Sequence, residues 1–340
     1  MKLALGMRLR QGPWGGGNRF AQSLVEGLRA EGIDVVDSLD APDIDVILLT
    51  DPRQGSQSAS FEDSAIARYL IFSNSRAIVI HRVNECDERK GTSGINQRLI
   101  DANQLVDHTV FISSWLRDLY VAQGLPCRSL SVILNGADRR IFHPGGHRTW
   151  DGKEPLRLVT HHWGGNWNKG FDIYQRIDQL MATEPWRSRI AFTYVGNLPE
   201  GFGFENAVHV QPLDGTALVD ELCRHHVYIT ATRNEPAGMH HVEGANCGLP
   251  LLYRDSGALP EYCQGYGVMF SGDDFEGKLS EMMASYATWE KNVRTYPHDA
   301  ELMVTGYLDL IKGVYKERED IPPRRRFSRW PRWVDARLAR

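Results

Sequence analysis

The sequence predicts an α/β protein built from two doubly wound parallel sheets. Three observations lead there. Short apolar runs alternate with helix-length amphipathic segments from residue 2 to 134, the pattern that places helices between parallel strands. A polar stretch at residues 145–154 interrupts the alternation. A second set of the same units then begins at Leu156. The expected organisation is a first domain over 1–145, a linker over 146–154 and a second domain over 155–300. A helix over 301–323 and a basic tail over 324–340 follow.

In order, the first domain reads as a strand at Lys2–Arg8, a loop GPWGGGN at 12–18 and a helix at Arg19–Ala30. Strands follow at 33–36, 46–49, 77–80, 108–112 and 130–134, with helices at 65–72, 97–105 and 114–123. The second domain has strands at 156–160, 190–196, 207–210, 227–231 and 267–270. Its helices are expected from Asn168 to about Ala182, at 216–224, from Gly238, at 275–286 and at 298–315. With 340 residues, 42% hydrophobic and 24% charged, the chain can bury two ordinary cores.

No stretch approaches the roughly 20 apolar residues that span a bilayer, and Arg8 and Arg10 come too early for a signal peptide, so a cytoplasmic protein is expected. Five cysteines without a Cys-x-x-Cys spacing argue against a disulfide framework and a zinc site. The adjacent pairs His161-His162, His225-His226 and His240-His241 are poor chelates, because neighbours diverge on a helix and alternate on a strand. Asp43 and Asp45 enter a strand, whereas ligand sites in open α/β sheets lie where strands end. No metal is expected.

Chemistry concentrates in Arg233–Tyr262. A strand leads into a loop carrying Glu235, and a helix starts at Gly238, with Glu243 eight positions beyond Glu235. The free N–H groups of Gly238, Met239 and His240 favour an anion. Two carboxylates beside an anion site suit sugar hydroxyls. Gly15, Gly16 and Gly17, ahead of Asn18 and a helix, give a second place where backbone can approach a ligand. His81, Arg82 and Asn84 follow the carboxyl end of a strand, where a catalytic loop lies.

Glu235-Pro-Ala-Gly, then Val242-Glu-Gly-Ala-Asn-Cys-Gly-Leu-Pro250 and Asp255-Ser-Gly-Ala-Leu-Pro-Glu261, resembles the donor signature of the retaining GT-B glycosyltransferases with two glutamates eight apart, the family 4-like or group 1 type. Asn135-Gly-Ala-Asp138 with Phe142-His-Pro144 is similar to the marker closing that family's first domain. The resemblance implies two Rossmann-like domains facing a cleft, and transfer of a sugar with retention from a nucleotide-diphosphate sugar to a hydroxyl acceptor. It assigns Glu235 to the donor sugar, Glu243 to the ribose and the amides of Gly238–His240 to the diphosphate. Lys169 falls on a phosphate-binding lysine, His81 near the donor sugar, and Gly16, Gly17 and Asn18 on a glycine-rich loop facing donor and acceptor. It also implies that the last helix crosses back to the first domain.

One departure stands out: the family's arginine, five residues before the lysine, is here Gly164. Amides at Gly164 and Gly165, or Arg10 or Arg19 from across the cleft, are the expected substitutes. Other functions compatible with the sequence are a nucleotide-sugar epimerase and a non-catalytic nucleotide-sugar binder. The tail carries seven arginines against Asp335, a net of +6 in a chain totalling −4. Trp330, Trp333, Val334 and Leu338 share one helical face. That pattern predicts a peripheral anchor to an anionic membrane, consistent with a lipid-linked or polysaccharide acceptor, and no nucleic-acid partner is expected.

Overall fold

The computed structural model describes residues 1–319 apart from 11, 13, 14 and 54. The tail over 324–340 lies outside the described residues.

The first sheet comprises β1 (Lys2–Leu5), β2 (Asp34–Val36), β3 (Val46–Leu49), β4 (Ile78–Val83), β5 (His108–Phe111) and β6 (Leu130–Val132). Its order is β2-β1-β3-β4-β5-β6, and every pair is parallel. Helices α1 (Gly16–Ala30), α2 (Asp63–Phe72), α3 (Ile95–Ala102) and α4 (Ser114–Ala122) make its connections. Strand β3 is buried at all four positions, as expected when both faces of a parallel sheet are covered. Asp43 and Asp45 hold Lys2 at the strand entry, through its Nζ at 2.7 Å and its backbone N–H at 2.8 Å.

The second sheet contains β7 (Leu156–His162), β8 (Ile190–Gly196), β9 (Val208–Val210), β10 (Val227–Thr230), β11 (Leu251–Arg254) and β12 (Gly267–Phe270). It is again parallel throughout, ordered β12-β11-β10-β7-β8-β9. The flanking helices are α5 (Phe171–Leu180), α6 (Gly215–Leu222), α7 (Met239–Asn246), α8 (Leu259–Cys263) and α9 (Phe275–Val293). The chain leaves β7 toward β8 on one side and β10 toward β11 on the other. Between these neighbours the connections diverge, which opens a crevice beyond the carboxyl ends of β7 and β10.

The last helix, α10 (Ala300–Lys316), packs on α1, where the Phe20 and Tyr307 rings lie 5.2 Å apart. Asp299 caps it by accepting the Leu302 N–H at 2.8 Å.

Two boundaries differ from the sequence reading in ways that reshape the site. Strand β4 continues to Val83, so His81 and Arg82 are strand residues with opposite directions. The helix expected from Asn168 is broken: Trp167–Lys169 form a single 3-10 turn, and α5 starts after Gly170. Gly170 has φ 101°, and a Cβ there would lie 2.6 Å from the Ala231 carbonyl carbon. That close approach brings Lys169 beside the loop leaving β10.

Candidate active site

Between the two sheets lies a cavity of about 430 Å³. Its second-domain wall contains His161, Lys169, Glu235, Gly238, Met239, His240 and Glu243, and its first-domain wall contains Gly16, Gly17, Arg19, Arg82, Asn84 and Arg89.

Glu235 sits in the loop between β10 and α7. Asn234 adopts φ 49°, a left-handed conformation that Asn tolerates, and its N–H donates to Ser256 Oγ at 2.8 Å. The Ala258 N–H donates to the Glu235 carbonyl at 2.8 Å. The Asp255–Glu261 stretch therefore clamps the backbone that carries Glu235. Its carboxylate accepts from Lys169 Nζ at 3.1 Å, and both side chains are buried. Burial alone would raise the Glu235 pKa, but Lys169 and Arg89 together hold it below the ordinary carboxylate value. Burial lowers the Lys169 pKa, and Glu235 opposes that shift.

Glu243 lies in α7 and is also buried. His161 Nε2 donates to it at 2.7 Å, and Tyr228 Oη lies 3.1 Å from His161 Nδ1. Arg19 reaches from α1 to within 3.5 Å of Glu243 and also pairs with Asp214. Burial pushes the Glu243 carboxyl up, but Arg19 and His161 bring it below the usual range. No side chain caps α7, so its first N–H groups remain available to a ligand. Gly16 permits the close approach of α1 to α7, because a Cβ there would run into the Met239 side chain.

No family model matches the chain. It is similar to the phosphatidylinositol N-acetylglucosaminyltransferase gpi3 subunit of Schizosaccharomyces pombe, 22% identical over 231 residues that are 64% of this chain and 49% of that protein. The chain thus spans about half the length of this curated relative. Among solved structures, sucrose-phosphate synthase from Thermosynechococcus elongatus superposes with a TM-score of 0.66 at 13% identity, covering 93% of this chain and 99% of that one. Anabaena HepE in complex with UDP-glucose gives 0.64 at 14% identity, covering 92% and 100%. The fold is GT-B.

In this GT-B chain the crevice between β7 and β10 collects Lys169, Glu235, Glu243 and the start of α7 in one cavity. Gly16 and Gly17 face them from the other domain. Two predicted residues are elsewhere. His81 is fully buried away from the cleft, its Nδ1 2.9 Å from Asn103 Oδ1, because strand alternation turns it to the face opposite Arg82. Burial lowers its pKa to about 4, so it stays neutral. Asn18 does not line the cavity but holds the glycine loop to the Arg10 backbone: it accepts the Arg10 N–H at 2.9 Å and donates to the Arg10 carbonyl at 2.7 Å.

Arg10 is not among the residues lining the cavity, and its Nη2 donates to the Gln57 carbonyl at 2.8 Å. Arg19 serves the Glu243 end. The cation beside Lys169 and Glu235 is Arg89, from the loop after β4, ion-paired to Glu85 at 3.1 Å. Sequence reasoning missed Arg89 and His161. Each carries a usable signal, since Arg89-Lys90 lies in a loop beyond the carboxyl end of a strand and His161 is the penultimate residue of the strand bordering the crevice. Among the described residues no cluster of three His, Cys, Asp or Glu could hold a metal, and no helix is long and apolar enough to cross a membrane.

Proposed function

We propose that the chain is a glycosyltransferase that moves a sugar from a nucleotide-diphosphate sugar to a hydroxyl acceptor, with retention of anomeric configuration. The observation that carries this reading is the set of Glu235, Lys169 and Glu243 around the uncapped start of α7, in one cavity between the GT-B domains. Glu243, oriented by His161, takes the ribose hydroxyls. The α7 amides and Lys169 take the diphosphate, with Arg89 adding the charge that Gly164 lacks. As the C1–O bond breaks, negative charge grows on the departing diphosphate, and these fixed donors stabilise it.

Glu235 is committed to Lys169 and orients the donor sugar. With no side chain assigned as a covalent nucleophile, the acceptor oxygen forms the new bond on the face the diphosphate leaves, and its proton passes to that leaving group. Charge compensation by Lys169, Arg89 and amides supports a reaction without metal. The name of the gpi3 relative and the UDP-glucose in the HepE structure support this class of donor chemistry. A cell-envelope or glycolipid role, with residues 324–340 as a salt-sensitive membrane anchor, completes the reading. That anchor is wrong if a form ending at Pro323 co-sediments with anionic vesicles as well as the full chain does.

The decisive experiment is product analysis with a panel of nucleotide sugars in EDTA. Transfer, or slow hydrolysis of one donor, supports the proposal. An altered nucleotide sugar indicates an epimerase, binding without turnover a non-catalytic protein, and activity restored only by Mn²⁺ or Mg²⁺ a metal site.

A further inference from the structure

The loop that carries Glu235 is held at its two ends by different domains. Its first residues, Asn234 and Glu235, are tied to Ser256 and Ala258 of the second domain. The next two carbonyls are taken by the first domain. Ser113 Oγ donates to the Pro236 carbonyl at 2.6 Å, and Asn135 Nδ2 donates to the Ala237 carbonyl at 2.9 Å, both bonds being buried. Ser113 and Asn135 follow the ends of β5 and β6, and α8 pins the backbone around them. Tyr262 Oη donates to the Ile112 carbonyl at 2.7 Å and accepts the Asn135 N–H at 2.7 Å, while the Ser114 N–H donates to Glu261 at 2.8 Å.

The two peptides held from the first domain are consecutive and flank Ala237. Each is planar, so holding both fixes φ and ψ of that residue. The Gly238 N–H lies trans to the Ala237 carbonyl in the second peptide. A donor on that carbonyl therefore sets the direction of an amide that borders the cavity. Position 135 requires an amide side chain. Arg82 Nη2 donates to Asn135 Oδ1 at 2.9 Å; a guanidinium only donates and a carbonyl only accepts, so the group between them must offer one acceptor and one donor. Arg82 thus turns Asn135 Nδ2 toward Ala237.

We propose that Ser113 and Asn135 are positioning residues, which act from the first domain to set the leading amides of α7 for the donor diphosphate, with Arg82 fixing the orientation of Asn135. The proposal rests on the donor reading for the ligand of those amides. It makes diphosphate binding in the second domain depend on side chains of the first.

The test is calorimetric titration of the full chain with UDP, GDP and ADP, each beside its own nucleoside, for wild type, Ser113→Ala, Ser113→Thr and Asn135→Leu. The nucleoside lacks the phosphates, so the ratio of the two affinities isolates the diphosphate contribution. Ser113 is not among the residues lining the cavity, so its effect can reach the ligand only through the loop. For the diphosphate that binds, Ser113→Ala is expected to lower affinity about fivefold and Asn135→Leu about tenfold, each leaving nucleoside affinity within about twofold. Ser113 Oγ also caps α4, accepting the Leu116 N–H at 3.2 Å. Ser113→Thr keeps the cap and the donated bond and restores affinity. Asn135→Leu leaves that cap intact and carries the comparison if Ser113→Ala does not fold. An unchanged ratio in the variants, or equal losses for diphosphate and nucleoside, overturns the positioning role and leaves the donor reading standing. A wild type that holds none of these diphosphates more tightly than its nucleoside overturns both.

Discussion

The two glutamates of the cavity are both buried and both ionised, but they are neutralised in different ways. Glu235 has a buried partner in its own domain, Lys169, with Arg89 approaching from the other. Glu243 has His161 in its own domain, and its cation, Arg19, crosses from α1 at 3.5 Å. Arg19 is partly exposed and shared with Asp214. The Glu235–Lys169 pair is thus assembled within the second domain, whereas the charge balance at Glu243 depends on how α1 meets α7.

The sharpest way to break that comparison is at Lys169. Removing one member of a buried pair strands the other, at a cost of about 3–5 kcal/mol, while replacing both with apolar groups is close to neutral. Lys169→Ala is therefore expected to lose most of its stability to denaturant and all measurable transfer. Lys169→Met with Glu235→Leu should recover stability and remain inactive. Chemical denaturation read beside a transfer assay checks both, and a stable, active Lys169→Ala would show that the pair does not organise the site.

How much of this was legible in the sequence follows from what each feature needs. The two parallel sheets needed only local alternation of apolar runs and helices, and those elements lie close to where they were expected. Short motifs single out Glu235, Glu243 and Lys169 in the sequence, and the fold brings the three into one cavity. His81 was misplaced through a boundary: three more residues of β4 turn it into the core and bring Arg82 to the cavity. Arg89 and Arg19 reach the second domain only through the folding of both halves, and no local pattern encodes that distance. Asn18 was drawn to the right loop with the wrong task, since a side chain that pins backbone and one that faces a ligand share the same sequence signal.

A second, smaller effect concerns the buried histidines of both domains. Burial holds His162 and His240 well below 6.5 and His241 at about 3, and lowers His81 in the first domain to about 4. Each is neutral when folded and takes up a proton near pH 6.5 when unfolded. Their contribution is therefore fully present above 6.5 and is lost as pH falls toward the folded values. Stability should drop between pH 6.5 and about 4, by up to roughly 1.4 kcal/mol per pH unit for each such histidine. Denaturant midpoints across that interval test the sign. A His81→Gln variant should have a shallower slope than wild type, and identical slopes would mean that His81 is not buried in its neutral form.

The smallest expected effect separates the two glutamates directly. Free nucleotide lacks the donor sugar, so Glu243→Ala should weaken UDP binding by about 1–2 kcal/mol, roughly five- to thirtyfold, the cost of losing charged hydrogen bonds to hydroxyls. Glu235→Ala should leave UDP affinity within a few-fold and reduce transfer instead. Arg19→Ala adds the test of the domain difference. If Arg19 only balances the charge of Glu243, its removal should weaken UDP binding less than Glu243→Ala does, and combining both changes should cost little more than Glu243→Ala alone, because the partners share one interaction. Isothermal titration of the two single variants and the double variant measures that coupling. Fully additive losses would place Arg19 on the nucleotide itself, and the ribose end would then require both domains for direct contact as well as for its charge balance.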